Sequence, residues 1–265
     1  MAKNKRFFYG WLILLTCILI MGLGYAPLVS CASLFTKPVT EDLGFTRSGY
    51  ALVSTIAALM MAFMSPFIGK IMSKPYMHKA LVVCMIGNCL AYYCYSFAST
   101  LPQFYVTAAC IGFFECGSTM IPVSVLITNW FRKKRGLVMS IAMVGSSIGG
   151  TILSPIIGNL IASQGWRFTY KAVGITRLVI LVPLVLLVIR RTPADMGTKA
   201  YGADEEGETG KARKTEREWN VSLKEVKKKP MFWCFVLGCT LISATAAVIT
   251  QIPASVMDAG YATTT

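Results

Sequence analysis

Two formal charges lie deep inside apolar stretches of the sequence and are the first candidates for chemistry. Glu115 comes twelve residues after Gln103, and Arg177 comes nine residues after Phe168. If these stretches are helical, the two charges lie about 18 Å and about 14 Å along their helix axes. A charge at that depth in hydrocarbon costs about 2.5–3.5 kcal/mol on insertion scales, so each needs a partner, a wet cavity or neutralisation.

The helical periodicity around Glu115 predicts that this carboxylate faces protein or water and not lipid. Small and polar residues share the face of Glu115: Ala108, Gly112, Ser118, Thr119 and Pro122. Bulky apolar residues lie on the opposite face: Val106, Phe113 and Met120. Two roles stay open for Glu115: a carboxylate that takes up a proton or couples to a substrate, and a structural acid hydrogen-bonded to neighbouring helices. For Arg177, an ion pair with Glu115 or contact with backbone carbonyls is favoured over contact with a substrate.

Tyr25 is a further candidate for substrate or proton coupling, because Gly22, Gly24 and Pro27 loosen the helix around its hydroxyl. Ordinary helix packing is an equally open interpretation of Tyr25. A second set of small residues is interpreted as a packing surface that lets two helices approach closely, and not as a set of ligands. This set is Gly145, Gly149, Gly150, Pro155 and Gly158.

The elements that carry these residues are predicted to be membrane-spanning helices. The chain is 55% hydrophobic and only 14% charged, whereas a soluble domain usually carries about 25% charged residues. Seven apolar windows are each near or above the roughly 20 residues that cross a bilayer as a helix. They cover 11–36, 48–69, 80–98, 104–128, 137–162, 168–189 and 231–256.

The positions of the basic residues predict the orientation of the helices. Twenty-one Lys and Arg residues fall on one side of the windows and four on the other, so the N-terminus is predicted to be cytoplasmic in a multi-pass protein of the plasma membrane. Residues 1–190 are predicted to form a six-helix bundle and 191–229 a charged cytoplasmic linker. Residues 230–265 are predicted to begin a second, incomplete bundle. A bilayer is therefore the expected surrounding, and the placement of the charges argues against binding to nucleic acid.

No metal site, cofactor or enzymatic activity is predicted. All nine cysteines fall inside the apolar windows and are interpreted as small packing residues. The glycine-rich stretch 145–150 is not a phosphate loop, since no strand precedes it and no Gly-Lys-Ser/Thr follows it. His78, the only histidine, is interpreted as a solvated loop residue.

Residues 112–174 resemble the major facilitator superfamily, and within it the oxalate/formate antiporters and monocarboxylate transporters. The resemblance is carried by Gly112 to Gly117, by the run Asn129-Trp-Phe-Arg-Lys-Lys-Arg-Gly136, and by Gly145 to Gly150. Arg191 to Gly197 is also similar to the segment after the sixth helix in that superfamily. The resemblance implies an all-α bundle of two inverted three-helix repeats.

One loop departs from the superfamily pattern. The loop between the second and third helices of relatives carries an acid where this sequence has Ser73, between Gly69 and Lys74. The charge relay that the resemblance implies at this gate loop is therefore expected to be weakened or rebuilt.

The function predicted from the resemblance is secondary transport. The expected substrate is a small organic anion such as a mono- or dicarboxylate, moved by alternating access with protons or a counter-anion as the coupled species. Two alternatives stay open. The chain is a non-transporting half-bundle, or it is a seven-helix membrane receptor or sensor.

Overall fold

The computed structural model describes residues 8–198, 200–202, 230–234 and 236–241. The chain divides into two compact units, Met1–Glu208 and Thr209–Thr265, and each is described by itself. The described residues are overwhelmingly helical; their one bridge of strand type joins Phe131 to Tyr201. The prediction of an all-helical fold is confirmed.

Among the described residues of the first unit, five helical segments are long and apolar enough to cross a membrane. Helix α1 spans Gly10–Leu43, α2 spans Arg47–Met72, α3 spans Met77–Phe97 and α4 spans Leu101–Trp130. The fifth segment, Arg135–Val188, bends at one residue, and its arms 135–164 and 166–188 are named α5 and α6. The helices thus follow the predicted windows closely, except that α1 continues well beyond its window.

The bend between α5 and α6 depends on Gly165. Its φ of 80° and ψ of 164° are the non-helical backbone angles inside this segment, and only glycine adopts them without strain. Close to the bend, Trp166 donates from Nε1 to Asp42 at 3.1 Å. Arg167 donates to the carbonyls of Ser96 and Ala98 at 3.1 and 3.2 Å. These bonds tie the start of α6 to the ends of α1 and α3.

Helix α1 contains a widened turn. Residues Ile20–Tyr25 form a π-helical segment, and regular α-helix resumes at Ala26. Pro27 has no N–H to donate to the carbonyl of Leu23, so the usual hydrogen-bond ladder is interrupted here. The predicted loosening of this helix is therefore observed.

Helix α4 contains a similar irregularity. The α-helix Leu101–Ser118 gives way at Thr119, whose φ of −124° and ψ of −96° are not helical, before Met120–Trp130 continues. Pro122 lacks an N–H for the carbonyl of Ser118, four residues earlier. A Cβ placed on Gly24 would lie 3.5 Å from Thr119 Cγ2, so the irregular segments of α1 and α4 are in contact.

The core of the first unit consists of two hydrophobic clusters. One surrounds Trp130 and includes Cys89 and Cys116, and the other includes Tyr92 and Ile111. Along α3 and α4 these two clusters meet at the level of Asn88 and Glu115, so polar residues occupy the boundary between them. Exposed apolar side chains line α2 and α5, which suits segments surrounded by lipid or by other helices.

The second unit is described only through the apolar helical segment α7, Pro230–Leu241. The rest of the predicted window 231–256 lies outside the described residues, as do residues 199 and 203–229 of the predicted linker 191–229.

Candidate functional site

The two deep charges lie together in the interior of the first unit. Glu115 on α4 is 5% exposed and Arg177 on α6 is 2% exposed. The predicted faces of α4 are confirmed: the small and polar set is buried, while Val106, Phe113 and Met120 are exposed. Glu115 therefore faces protein and not the outer surface of the bundle.

Both oxygens of the Glu115 carboxylate accept a hydrogen bond. Asn88 on α3 donates from Nδ2 to Oε2 at 2.7 Å, and Thr119 donates from Oγ1 to Oε1 at 3.0 Å. Thr119 Oγ1 also lies 3.0 Å from the backbone carbonyl oxygen of Glu115. The irregular turn of α4 thus places a hydroxyl donor directly on the buried carboxylate.

Arg177 is held by one side chain and one backbone carbonyl. Its Nη2 donates to Gly24 O at 2.8 Å and to Asn88 Oδ1, and its Cζ lies 5.1 Å from the centre of the Tyr92 ring. Within the described part of the chain, Arg177 Nε and Nη1 are buried without a hydrogen-bond partner. Of the two predicted contacts of Arg177, the one with a backbone carbonyl is observed. Arg177 and Glu115 are linked indirectly, because Asn88 hydrogen-bonds to both.

Asn88 is the residue that sequence reasoning missed. Its side chain is fully buried and bridges Glu115 and Arg177, so the cluster joins α1, α3, α4 and α6. A signal was present, because Asn88 is the only amide side chain in the apolar window 80–98. What the sequence did not indicate is which of the other helices Asn88 would face.

Tyr25 borders this cluster from α1. It is half-buried, packs against the hydrophobic cluster around Trp130, and lies close enough to Glu115 for an electrostatic interaction. The structure therefore brings the three predicted coupling residues into one region and adds Asn88 and Thr119 to them. Their roles in transport remain predictions.

The small residues of α5 contact α1 along part of their predicted surface. A Cβ on Gly145 would lie 2.5 Å from Ile18 O, and one on Gly149 would lie 2.3 Å from Gly22 O. A Cβ on Gly150 would lie 2.9 Å from Ser30 Cβ.

Two members of that predicted set lie outside this contact among the described residues. Open space surrounds Gly158, and Pro155 is exposed. Helical geometry explains the difference, because nine residues beyond Gly149 is a rotation of about 180° around the axis, onto the opposite face of α5.

The predicted gate loop contacts the segment that follows α6. Arg191 donates from Nη2 to the carbonyl of Ser73 at 2.8 Å, and Ser73 N donates to Gly69 O at 3.2 Å. Lys74 Nζ lies 5.9 Å from the centre of the Tyr76 ring. A basic side chain from the segment after α6 therefore hydrogen-bonds to this loop through the backbone carbonyl of Ser73.

The interpretation of His78 as a solvated loop residue is wrong. His78 belongs to the first turn of α3, is half-buried, and its Nε2 lies 3.2 Å from Val185 O. The loop before it is shorter than predicted, since α3 already begins at Met77.

The chain matches the model of the Major Facilitator Superfamily over residues 12–265. Human monocarboxylate transporter 2 is 24% identical over 229 residues, covering 85% of this chain and 45% of the relative. Chicken monocarboxylate transporter 4 is 26% identical over 170 residues, which are 63% of this chain and 35% of the relative. The MFS-type transporter pynF of Aspergillus niger is 27% identical over 192 residues, 69% of this chain and 43% of the relative. The chain thus spans less than half the length of these relatives.

A solved structure shares the fold. The bacterial homologue of the human lysosomal transporter Spinster, in an inward-facing and unoccupied conformation, superposes with a TM-score of 0.66 at 18% identity. The alignment covers 90% of this chain and 52% of that structure. With the membrane-length helices, these similarities establish a multi-pass membrane protein of a transporter fold.

Proposed function

Because the chain belongs to the Major Facilitator Superfamily, we propose that the protein containing this bundle is a secondary transporter of a small organic anion. A mono- or dicarboxylate is the favoured substrate class, since monocarboxylate transporters are among the relatives. Transport would proceed by alternating access in the plasma membrane, with the N-terminus in the cytoplasm as the distribution of basic residues suggests. A gradient of protons or of a counter-anion would supply the energy.

The observation that carries the proposal is the buried cluster of Glu115, Asn88 and Arg177. One carboxylate and one guanidinium group lie in the interior of a membrane bundle, where ionisable residues are rare and mark transport or proton pathways. They contact the irregular segments of α1 and α4, through Gly24 and Thr119. In transporters of this architecture, interrupted helices are where binding sites are built.

The charge of the cluster gives a physical reason for coupling. With Glu115 ionised, the cluster of Glu115 and Arg177 has no net charge. A proton on Glu115 leaves the cluster with one positive charge, which is costly in an apolar bundle unless an anion approaches. Tyr25 would offer a hydroxyl on the neighbouring face of α1. In this proposal, Glu115 takes up the proton while Arg177 and Tyr25 favour the anion.

The test is uptake into proteoliposomes that contain the full-length protein. Labelled lactate, pyruvate, formate and oxalate are supplied with an inward proton gradient or with an internal counter-anion. We expect at least one of these anions to accumulate, and Glu115→Gln to remove the dependence of uptake on pH because the amide cannot titrate. Two results would refute the proposal: no uptake of any of the four anions under either gradient, or unchanged pH dependence in Glu115→Gln.

A further inference from the structure

We propose that Asn88 is a positioning residue that transmits the charge state of Glu115 to Arg177, and through Arg177 to α1. This inference rests on the proposed function, because it assumes that Glu115 titrates during transport. It adds a residue and a direction of coupling to that function. The bonds from Asn88 to Glu115 and to Arg177, and from Arg177 to Gly24, carry the proposal.

The chemistry of the three side chains sets the orientation of the Asn88 amide. Arg177 has only donors, so it must face the oxygen Oδ1 of the amide. The amide nitrogen then points toward Glu115, whose ionised carboxylate has only acceptors. Asn88 therefore presents its acceptor to the cation and its donor to the anion at the same time, and this arrangement favours the ionised form of Glu115.

Asn88 is the only side-chain acceptor that the described residues supply to Arg177. The other acceptor is Gly24 O, and two further nitrogens of Arg177, Nε and Nη1, have no partner among the described residues. A buried guanidinium group with so few acceptors depends strongly on each one. Any rearrangement of the Asn88 amide is therefore expected to move Arg177.

Among the described residues, few ionisable groups other than Arg177 face Glu115. Tyr25 on α1, Cys89 on α3 and Cys116 on α4 lie within electrostatic range, and all three are neutral in their ordinary protonation state near neutral pH. Arg177 on α6 is the cation of the group. Changes in the charge of Glu115 are thus felt chiefly by Arg177, with Asn88 between them.

The other end of this path is the widened turn of α1. Gly24 belongs to the π-helical segment Ile20–Tyr25, and Gly22 of the same segment lies against Gly149 of α5. When a proton neutralises Glu115, the bond from Asn88 Nδ2 weakens, because charge-assisted hydrogen bonds are the strong ones. The Asn88 amide is then freer to move, and its movement shifts Arg177, which is hydrogen-bonded to the carbonyl of Gly24 in α1.

The experiment compares the pH profiles of uptake for four forms of the full-length protein in proteoliposomes. They are the wild type, Asn88→Leu, Asn88→Asp and the control Asn159→Leu, which replaces an exposed asparagine of α5. Asn88→Leu removes the donor that favours ionised Glu115. Asn88→Asp places a second carboxylate beside Glu115, and two adjacent carboxylates do not both ionise readily.

We expect the pH midpoint of uptake to rise by about one unit or more in both Asn88 variants, and to stay unchanged in Asn159→Leu. A purely structural role for Asn88 would lower the amount of folded protein and leave the midpoint unchanged. Thermal unfolding in detergent is therefore measured for each form, and uptake is normalised to folded protein.

The outcomes separate this inference from the proposed function. If Glu115→Gln abolishes pH dependence while both Asn88 variants keep the wild-type midpoint, the proposed function stands and the role of Asn88 is refuted. If Glu115→Gln keeps the wild-type profile, the proposed function fails and the inference fails with it. Should Asn88→Leu not fold, the midpoint of Asn88→Asp decides, since aspartate retains the size of the native side chain and an acceptor for Arg177.

Discussion

The contact between α1 and α5 makes Gly149→Ala a sharp test of the packing. The added Cβ would lie 2.3 Å from Gly22 O and 2.5 Å from Gly22 Cα. An ordinary contact begins at 3.4 Å, so the two helices would have to separate by about 1 Å. Both close atoms belong to the backbone, and no side-chain rotation relieves the clash. Overpacking of this kind costs about 1–3 kcal/mol.

Gly158→Ala is the matched control. The same methyl group is added to the same helix, but at a position where a Cβ meets nothing within 4 Å. Alanine is intrinsically the better helix former by about 1 kcal/mol. The control is therefore expected to leave stability unchanged or to raise it, so Gly149→Ala should be the less stable of the two variants.

The assay is thermal unfolding of the purified protein in detergent, followed with a thiol-reactive dye. Cys17, Cys31, Cys84, Cys89 and Cys116 are buried, so their exposure reports loss of the bundle. Both variants gain the same helix propensity, so for a unit of about 200 residues the overpacking of about 1–3 kcal/mol should place the Tm of Gly149→Ala roughly 2–12 °C below that of Gly158→Ala. Equal Tm values for Gly149→Ala and Gly158→Ala would show that α1 and α5 do not approach as described.

Two other contacts give further predictions. Thr119→Val removes the hydroxyl that donates to Glu115 at 3.0 Å, whereas Thr119→Ser retains it. A hydrogen bond to a charged group contributes about 1.5–3 kcal/mol, and one pH unit corresponds to about 1.4 kcal/mol. Only the valine variant should therefore raise the pH midpoint of uptake, by about one to two units. Equal midpoints for both variants would contradict this role. Tyr201 packs its ring on Phe8 and Phe131, so Tyr201→Ala should release the segment that follows α6. A loss of about 1 kcal/mol of ring packing should speed trypsin cleavage after Arg190 about fivefold. Tyr201→Phe should leave the rate unchanged, and an equally fast phenylalanine variant would show that ring packing does not hold this segment.

The helices and the burial of Glu115 could be predicted from the sequence. Hydropathy places apolar windows where the helices form, because lipid leaves the backbone no hydrogen-bond partners except its own. The period of 3.6 residues then separates the buried face of Glu115 from Val106, Phe113 and Met120. Both features follow from the sequence of amino acids within a single segment, so they can be predicted without knowing the neighbouring helices.

Only the tertiary structure decided which helices meet and at which rotation. Asn88 lies 27 residues from Glu115 and 89 from Arg177, and its bridge depends on how α3, α4 and α6 turn toward one another. The same reason explains why Gly149 lies against α1 while Gly158 does not, and why His78 lies beside Val185. Periodicity determines which residues share a face, but the partner of each face is set by packing between segments distant in the chain.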